Sequence, residues 1–141
     1  MDEIYIMMCE KSKDIQKSWV RTAGDMFFLA DEAKLEGKTR TYILGCHWRK
    51  CLGCKYEAGH GIWIPRQSQL QEIYIQSLPK DEQESINIAV VMLDDFQDWV
   101  LNDCSGLDWS YKTKVLMEQL WLAFLMKEKY NKIWNGKEWI T

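Results

Sequence analysis

Long apolar runs, histidine and proline are scarce in this chain of 141 residues, which has two histidines and two prolines. The longest apolar stretches, residues 88–93 and 120–126, are far shorter than the roughly 20 residues that a membrane-spanning helix needs. The first residues also lack a basic start followed by an apolar run. We therefore expect a cytoplasmic protein with no secretory signal and no membrane contact.

Catalytic signatures are missing as well. The chain has no Walker loop, no Gly-x-Ser-x-Gly, no His-Glu-x-x-His and no dinucleotide-binding fingerprint. Its two histidines leave little room for acid–base catalysis, although carboxylates can supply it. The sequence therefore favours a binding protein over an enzyme, and no catalytic residue is assigned.

The five cysteines argue against a disulfide framework, because cytoplasmic thiols are usually reduced. Four soft metal ligands fall within residues 46–60, namely Cys46, Cys51, Cys54 and His60. Cys51 and Cys54 have the two-residue spacing of a zinc knuckle, and three thiolates with one imidazole suit a closed tetrahedral zinc site. His47 is an alternative fourth ligand. The simpler interpretation is a set of reduced, buried cysteines without a metal.

One segment, residues 34–66, is cationic on an otherwise acidic chain. It holds seven basic and two acidic residues, a formal +5 on a chain of −3, so the remainder, at −3 minus +5, carries −8. Aromatic and cationic side chains alternate within the segment, as base stacking and phosphate binding require. The same residue types also dominate protein–protein interfaces, and a solvated basic loop is the simpler alternative. The candidate binding residues are Arg40, Tyr42, Trp48, Arg49, Lys50, Tyr56, Trp63 and Arg66.

Three aspartates, Asp94, Asp95 and Asp98, fall on one predicted helix. Paired carboxylates can hold Mg²⁺ for phosphate chemistry. However, the acids that a neighbouring helix would have to add, Glu118 and Glu128, are poorly spaced for this role. A solvated acidic face is therefore the simpler interpretation.

Hydrophobic periodicity predicts three long helices, at residues 2–20, 81–101 and 111–130, and a shorter one at 67–76. Trp121 falls on the apolar stripe of the last helix. Short strands are expected at 26–29, 39–44 and 61–64, and Asn135-Gly136 predicts a two-residue hairpin turn near the end of the chain. The pattern indicates one α+β domain over residues 1–141, in which the three long helices pack with a small antiparallel sheet and a β-hairpin ends the chain.

Three motifs carry a family resemblance: YIMMCEKSKDIQKSW at residues 5–19, IWIPRQSQLQEI at 62–73 and MEQLWLAFLMKEKYNKIWNGKEWI at 117–140. In this order they resemble a group of small uncharacterised proteins encoded by phages and prophages of Gram-positive bacteria. The resemblance implies a viral protein in the host cytosol, and small phage proteins of this kind are often accessory factors.

The leading hypothesis is a non-enzymatic accessory protein that binds and neutralises a host component, either a defence protein or a signalling nucleotide. The alternatives are a small zinc-stabilised nucleic-acid-binding protein and a magnesium-dependent nucleotide hydrolase.

Overall fold

A computed structural model of the chain describes residues 2–28, 61–103 and 115–141, together with the backbone of residues 41–43. Helices and small antiparallel sheets are mixed, so the predicted α+β class is confirmed. The chain divides into two compact units, the N-terminal unit Met1–Pro65 and the C-terminal unit Arg66–Thr141. A single domain over the whole chain stays a prediction. In the ranges that the structure describes, no helix combines the length and the apolar character needed to cross a membrane.

The N-terminal unit begins with two helices where one was predicted, α1 (Glu3–Lys11) and α2 (Lys13–Lys17). Asp2 caps α1, since its Oδ1 accepts hydrogen bonds from the backbone N–H groups of residues 4 and 5. The break falls at Ser12, whose hydroxyl donates to the Cys9 carbonyl at 2.8 Å and whose ψ of 71° is not helical. A serine that bonds the backbone competes with the helical pattern, so the prediction of one unbroken helix over 2–20 was wrong.

Three short strands follow: β1 (Met26–Phe28), β2 (Thr41–Ile43) and β3 (Ile62–Ile64). They form an antiparallel sheet in the order β2-β1-β3, and Phe27 pairs with Tyr42 on one side and Trp63 on the other. All three strands lie within their predicted ranges. Side chains from α1, β1 and β3 form the core of this unit, because Met8, Phe27 and Ile64 are buried.

The side chain of Gln16 protects the outer edge of β3. Its amide nitrogen donates to the carbonyls of Trp63 and Cys9, at 2.9 and 3.1 Å, and its amide oxygen accepts the Trp63 backbone N–H at 2.8 Å. An edge strand exposes backbone groups that need partners. The side chain of Gln16 therefore provides partners for both backbone groups of Trp63, as a further strand would.

The C-terminal unit begins with α3 (Gln67–Ser77), which confirms the predicted short helix. The prediction of one helix over 81–101 is only partly correct. The structure has two helices there, α4 (Lys80–Gln83) and α5 (Ile88–Asn102), with a break between them. In the break, the Ser85 hydroxyl accepts the Asn87 backbone N–H at 3.2 Å. Serine and asparagine favour such local bonds over helix. The buried residues of α5 are Met92, Phe96 and Trp99.

The last helix, α6 (Met117–Tyr130), starts later than predicted, because Leu116 is extended. Residues 111–114 of that prediction lie outside the described residues. Leu116 lacks a capping side chain of its own, but the Gln119 side chain accepts its backbone N–H at 3.0 Å. Gln69 does the same for Arg66 at the start of α3, at 2.9 Å. A glutamine at the third helical position thus supplies one half of a capping box at both helices, the bond to the backbone N–H of the N-cap residue.

The predicted hairpin is confirmed as β4 (Ile133–Trp134) and β5 (Trp139–Ile140), in antiparallel pairing. Four residues separate the strands instead of two. The reason is that the Asn135 side chain accepts the backbone N–H groups of Lys137 and Glu138, both at 2.9 Å, and so belongs to the turn. Gly136 supplies the positive φ, of 94°, that this turn needs.

Aromatic side chains form the core of the C-terminal unit. Trp121 is fully buried, as predicted, and its ring stacks on that of Phe96 with 4.1 Å between centroids and 6° between planes. Phe124 meets both rings edge-on, at 5.5 and 5.6 Å. Offset stacks and edge-to-face contacts are the favoured geometries of aromatic pairs. This cluster joins α5 to α6, and Tyr74 extends it to α3 by contact with Phe124 at 4.9 Å.

Candidate functional surfaces

The predicted zinc ligands Cys46, Cys51, Cys54 and His60, with the alternative His47, lie outside the described residues. Within the described ranges, no group of three or more histidine, cysteine, aspartate or glutamate side chains is close enough to hold a metal ion. The zinc site therefore stays a prediction.

Most of the predicted binding surface also lies outside the described residues: Arg40, Trp48, Arg49, Lys50 and Tyr56. For Tyr42 the structure gives the backbone, which places it beside Phe27 in the sheet.

Two members of the predicted surface have described side chains. Arg66 is exposed and is the N-cap of α3 in the C-terminal unit. Trp63 is only 5% exposed, at the centre of β3 in the N-terminal unit. The register pairs the backbone of Tyr42 with Phe27 on one side and that of Trp63 with Phe27 on the other. Burial keeps the Trp63 ring itself from acting as an open stacking platform.

A tryptophan that stacks on a ligand must be accessible, and Trp19 meets this requirement where Trp63 does not. It is half-buried, and its ring lies parallel to that of Trp63, with 5.9 Å between centroids and 2° between planes. The Arg21 guanidinium lies 5.1 Å from the centre of the Trp19 ring, within cation–π range. Asp25 fixes the indole by accepting its N–H at 2.8 Å. The N-terminal unit therefore combines a guanidinium with two stacked indoles, as the residue types of the predicted surface would do.

The three aspartates of the hydrolase hypothesis are exposed on α5. Asp95 accepts the Tyr74 hydroxyl at 2.8 Å, which connects α3 to α5. Burial raises the pKa of the Tyr74 phenol above its usual value, and the bond to Asp95 raises it further. Asp95 therefore holds two helices together in the described structure.

An apolar row on α5 and on the turn before it lies away from the core. Four of its side chains are more than half exposed: Ile86 (99%), Val90 (65%), Leu93 (52%) and Leu101 (71%). Within α5, Val90, Leu93 and Leu101 share one face of the helix, and the exposed Gln97 lies on this face between Leu93 and Leu101. This face is roughly opposite the buried stripe of Met92, Phe96 and Trp99. We call Ile86, Val90, Leu93 and Leu101 the apolar row.

Acidic residues border the apolar row. Asp94 and Asp98 are four residues apart, on the helical face next to positions 90 and 101. Residues 81–103 hold seven acidic residues and no lysine or arginine. This stretch therefore combines exposed apolar side chains with a strong negative charge.

A cleft of about 150 Å³ opens between the end of α5, the last turns of α6 and β4. Among the described residues its lining consists of Trp99, Asp103, Ala123, Lys127, Lys132 and Ile133. Apolar side chains and charges of both signs meet here.

Cys9 is the one free cysteine of the described part of the chain and is buried in α1. Burial raises the pKa of its thiol well above the usual value. A thiol with a raised pKa forms little thiolate and reacts slowly. Cys9 is therefore a packing residue of the N-terminal unit.

Sequence reasoning missed the apolar row and the cleft, although each left a signal. Residues 88–93 are apolar without interruption, and a helix that is apolar on more than one face needs more than one partner. Asn131, after the last turn of α6, is a residue type that ends helices in a left-handed conformation. That conformation turns the chain back and places Lys132 near Lys127.

Comparison with protein-family models, curated proteins and solved structures gives no match to this chain.

Proposed function

We propose that the protein binds and neutralises a host protein in the cytosol of an infected cell, and that α5 contacts this partner. The exposed apolar row carries the proposal. Single exposed apolar residues are normal, whereas several on one helical face point to an interaction site. Burying a valine, leucine or isoleucine contributes about 1.5–3 kcal/mol. Three of the four side chains are already partly buried, so a partner that covers the row gains only part of this amount from each of those three and offsets part of the entropic cost of association.

The chemistry beside the row specifies the partner further. Asp94 and Asp98 border the row, and residues 81–103 carry no basic side chain. A complementary surface would place apolar side chains on the row and lysine or arginine beside the carboxylates. A basic amphipathic helix has both features on adjacent faces and can pack along α5. The proposed occupant is therefore a basic amphipathic helix of a host protein.

The size of the cleft at the end of α5 decides whether this cleft could hold a signalling nucleotide. Pockets that hold drug-sized ligands measure roughly 300–1,000 Å³. The cleft at the end of α5 measures about 150 Å³, which is too small for a whole nucleotide. This cleft is therefore not proposed as a nucleotide site, and the nucleotide form of the hypothesis depends on residues 40–66, most of which lie outside the described residues.

The two alternative functions remain hypotheses from the sequence. A zinc-stabilised nucleic-acid-binding protein depends on Cys46, Cys51, Cys54 and His60, which lie outside the described residues. A nucleotide hydrolase depends on Asp94, Asp95 and Asp98, of which Asp95 bonds Tyr74. Zinc content and a steep salt dependence of nucleic-acid binding would support the first, and Mg²⁺-dependent turnover would support the second.

Defined peptides test the proposal. The probe is a labelled amphipathic helix of leucine and lysine, compared with the same helix carrying glutamate for lysine and with a scrambled leucine–lysine sequence. We expect the first to bind and the other two to bind at least tenfold more weakly. Val90→Gln with Leu101→Gln should weaken binding tenfold, or about 1.4 kcal/mol. Glutamine is nearly as good a helix former as leucine, so the unfolding free energy should change by less than about 0.5 kcal/mol.

Charge and control variants complete the design. Asp94→Asn with Asp98→Asn should weaken lysine-peptide binding at low salt and reduce its salt dependence. Glu72→Gln, at an exposed acid on α3, is the matched control and should leave binding unchanged. Equal binding of the lysine and glutamate peptides would contradict the partner chemistry. Binding that survives both double variants would remove α5 as the contact.

The natural partner is then sought by co-purification from infected cells and tested with the same variants. Arg49→Glu with Lys50→Glu tests the surface predicted from the sequence in the same assay. Loss of binding in this variant alone would place the contact on residues 40–66 instead of α5.

A further inference from the structure

The cleft at the end of α5 is shaped by the way in which α6 ends. Asn131 has φ 52° and ψ 42°, in the left-handed region. Its backbone N–H donates to the Lys127 carbonyl, and the next N–H, of Lys132, donates to the Met126 carbonyl, both at 3.0 Å. The first bond, from the left-handed residue to the carbonyl four residues back, is that of an αL motif, which satisfies one of the last carbonyls of the helix and reverses the chain. Lys132 therefore comes back toward the last turn of α6.

Both lysines line the cleft as a consequence. Lys127 lies in the last turn of α6, and its ammonium group donates to the Asn131 side-chain oxygen at 3.0 Å, which orients it. Lys132 follows Asn131 directly and leads into β4. The cleft therefore has two cationic side chains, one from the end of α6 and one from the residue before β4. The backbone turn at Asn131 fixes the position of one relative to the other.

The third charge in the cleft has the opposite sign. Asp103 is the C-cap of α5, and its backbone N–H donates to the Trp99 carbonyl at 2.8 Å. A carboxylate at the negative end of a helix is unfavourably placed, because the macrodipole repels it. A ligand that donates a hydrogen bond or brings a positive charge to Asp103 would relieve this repulsion.

The remaining described residues of the lining are apolar. Trp99, Ala123 and Ile133 give the cleft an indole, a methyl group and a branched aliphatic side chain. A cavity of about 150 Å³ with apolar walls accepts a molecule of the size of benzene. The space therefore fits one aromatic ring or one branched side chain, with polar groups left at the rim.

We propose that this cleft binds a carboxylate that carries a small apolar side chain and an adjacent hydrogen-bond donor. The side chain enters between Trp99 and Ile133, the carboxylate lies between the two lysines, and the donor faces Asp103. Among the described lining residues, two lysines and one aspartate carry a net charge of +1, which suits a monoanionic carboxylate better than a phosphate dianion. A free branched or aromatic α-amino acid has this chemistry, and so has the last residue of a peptide chain.

Titration calorimetry with four probes separates these two sources. The probes are leucine, leucinamide, N-acetyl-leucine and the dipeptide Gly-Leu. Leucinamide lacks the carboxylate, so we expect it to bind at least tenfold more weakly than leucine. If the site takes a free amino acid, leucine binds better than N-acetyl-leucine and Gly-Leu. If it takes a peptide end, the latter two bind at least as well as leucine.

Variants test whether binding occurs in the cleft. Lys127→Gln with Lys132→Gln should weaken the tightest probe at least tenfold. Lys137→Gln, at an exposed lysine of the hairpin turn, is the matched control and should have no effect. Asp103→Asn should weaken leucine more than N-acetyl-leucine, since the ammonium interacts with the carboxylate. Melting curves of each variant show whether it is folded.

Three results would overturn the proposal: no binding of any probe at millimolar concentration, equal binding of leucine and leucinamide, or unchanged binding in the folded double-lysine variant. The amphipathic-helix test on α5 uses other residues and another ligand, so either proposal can fail without the other.

Discussion

The two units are stabilised by different kinds of contact. In the N-terminal unit, polar side chains reach backbone groups far away in the chain. The amide of Gln16 bonds both backbone groups of Trp63, and the Tyr5 hydroxyl donates to the Pro65 carbonyl. In the C-terminal unit, stacked rings join the helices, with Phe96 against Trp121 at 4.1 Å. Hydrophobic periodicity predicts contacts of the second kind, whereas single polar links between distant residues leave no periodic pattern.

The largest expected effect is on the aromatic cluster. Trp121→Ala should lower the free energy of unfolding by about 3–5 kcal/mol, as truncation of a buried aromatic residue does. Urea unfolding measures this loss. Among the described residues the buried Trp121 indole N–H has no acceptor, and an unpaired buried donor is itself costly. Trp121→Phe, which keeps a ring against Phe96 and removes that N–H, should therefore cost less than half as much. An alanine variant as stable as the original chain would contradict the description of this core.

The helices and the hairpin of the C-terminal unit were largely predictable. A stripe at helical spacing identified Trp121 as buried, and Asn135-Gly136 identified the hairpin. The failures occurred where a side chain bonds nearby backbone. Ser12 breaks the first predicted helix through the Cys9 carbonyl, and Ser85 bonds Asn87 in the break before α5. Helical periodicity continues through both places, so the pattern alone did not reveal the breaks.

The candidate surfaces were harder to predict for a related reason. Residue types that suit binding were recognised, but their exposure depends on the tertiary structure. Trp63 and Trp19 are both tryptophans near charged residues, yet the first is buried in the sheet and the second is half-buried beside Arg21. The cleft depends on the backbone conformation of Asn131, which brings Lys132 back toward Lys127. Composition and spacing do not contain that geometry.

The second prediction concerns the hydrogen bonds between the Gln16 side chain and the backbone in the N-terminal unit. Gln16→Met keeps the length of the side chain and removes its three hydrogen bonds to backbone. Because the two Trp63 backbone groups lose their partner, we expect a loss of about 2 kcal/mol in unfolding free energy. Hydrogen exchange at the Trp63 amide should accelerate as well. Gln76→Met, at an exposed glutamine of α3, is the control and should cost less than about 0.5 kcal/mol. Equal stability of the two variants would show that the edge of β3 does not need Gln16.

The third prediction compares the units at one equivalent feature. Gly24 and Gly136 have φ of 92° and 94°, and a Cβ at either position would meet no atom within 4 Å. Alanine at each should therefore cost only backbone strain, about 1–2 kcal/mol. The two losses in unfolding free energy, measured in urea, should agree within about 0.5 kcal/mol. A much larger loss at one glycine would reveal that its turn has a packing role in that unit.

The fourth prediction concerns a polar link in the aromatic unit, between Tyr74 of α3 and Asp95 of α5. Tyr74→Phe removes the hydroxyl and leaves the ring against Phe124. One hydrogen bond is lost, so the variant should be less stable by about 1 kcal/mol at neutral pH. Asp95→Asn keeps an acceptor for the hydroxyl and should cost less than Tyr74→Phe.

The pH dependence of the stability lost in Tyr74→Phe shows whether the phenol ionises differently in the folded and unfolded states or whether the hydroxyl contributes by packing alone. The pKa of Tyr74 is raised in the folded protein, by burial first and by Asp95 second. A group whose pKa is higher in the folded state contributes stability that is complete below its unfolded pKa, about 10 for tyrosine, and is lost as the pH rises above it. The original chain should therefore lose stability above pH 10 faster than Tyr74→Phe, and the gap between them should narrow. Urea unfolding of both proteins between pH 8 and pH 11 measures this. A difference in unfolding free energy that stays constant over that range would mean that Tyr74 has the same pKa in both states. Neither burial nor Asp95 would then raise that pKa in the folded protein.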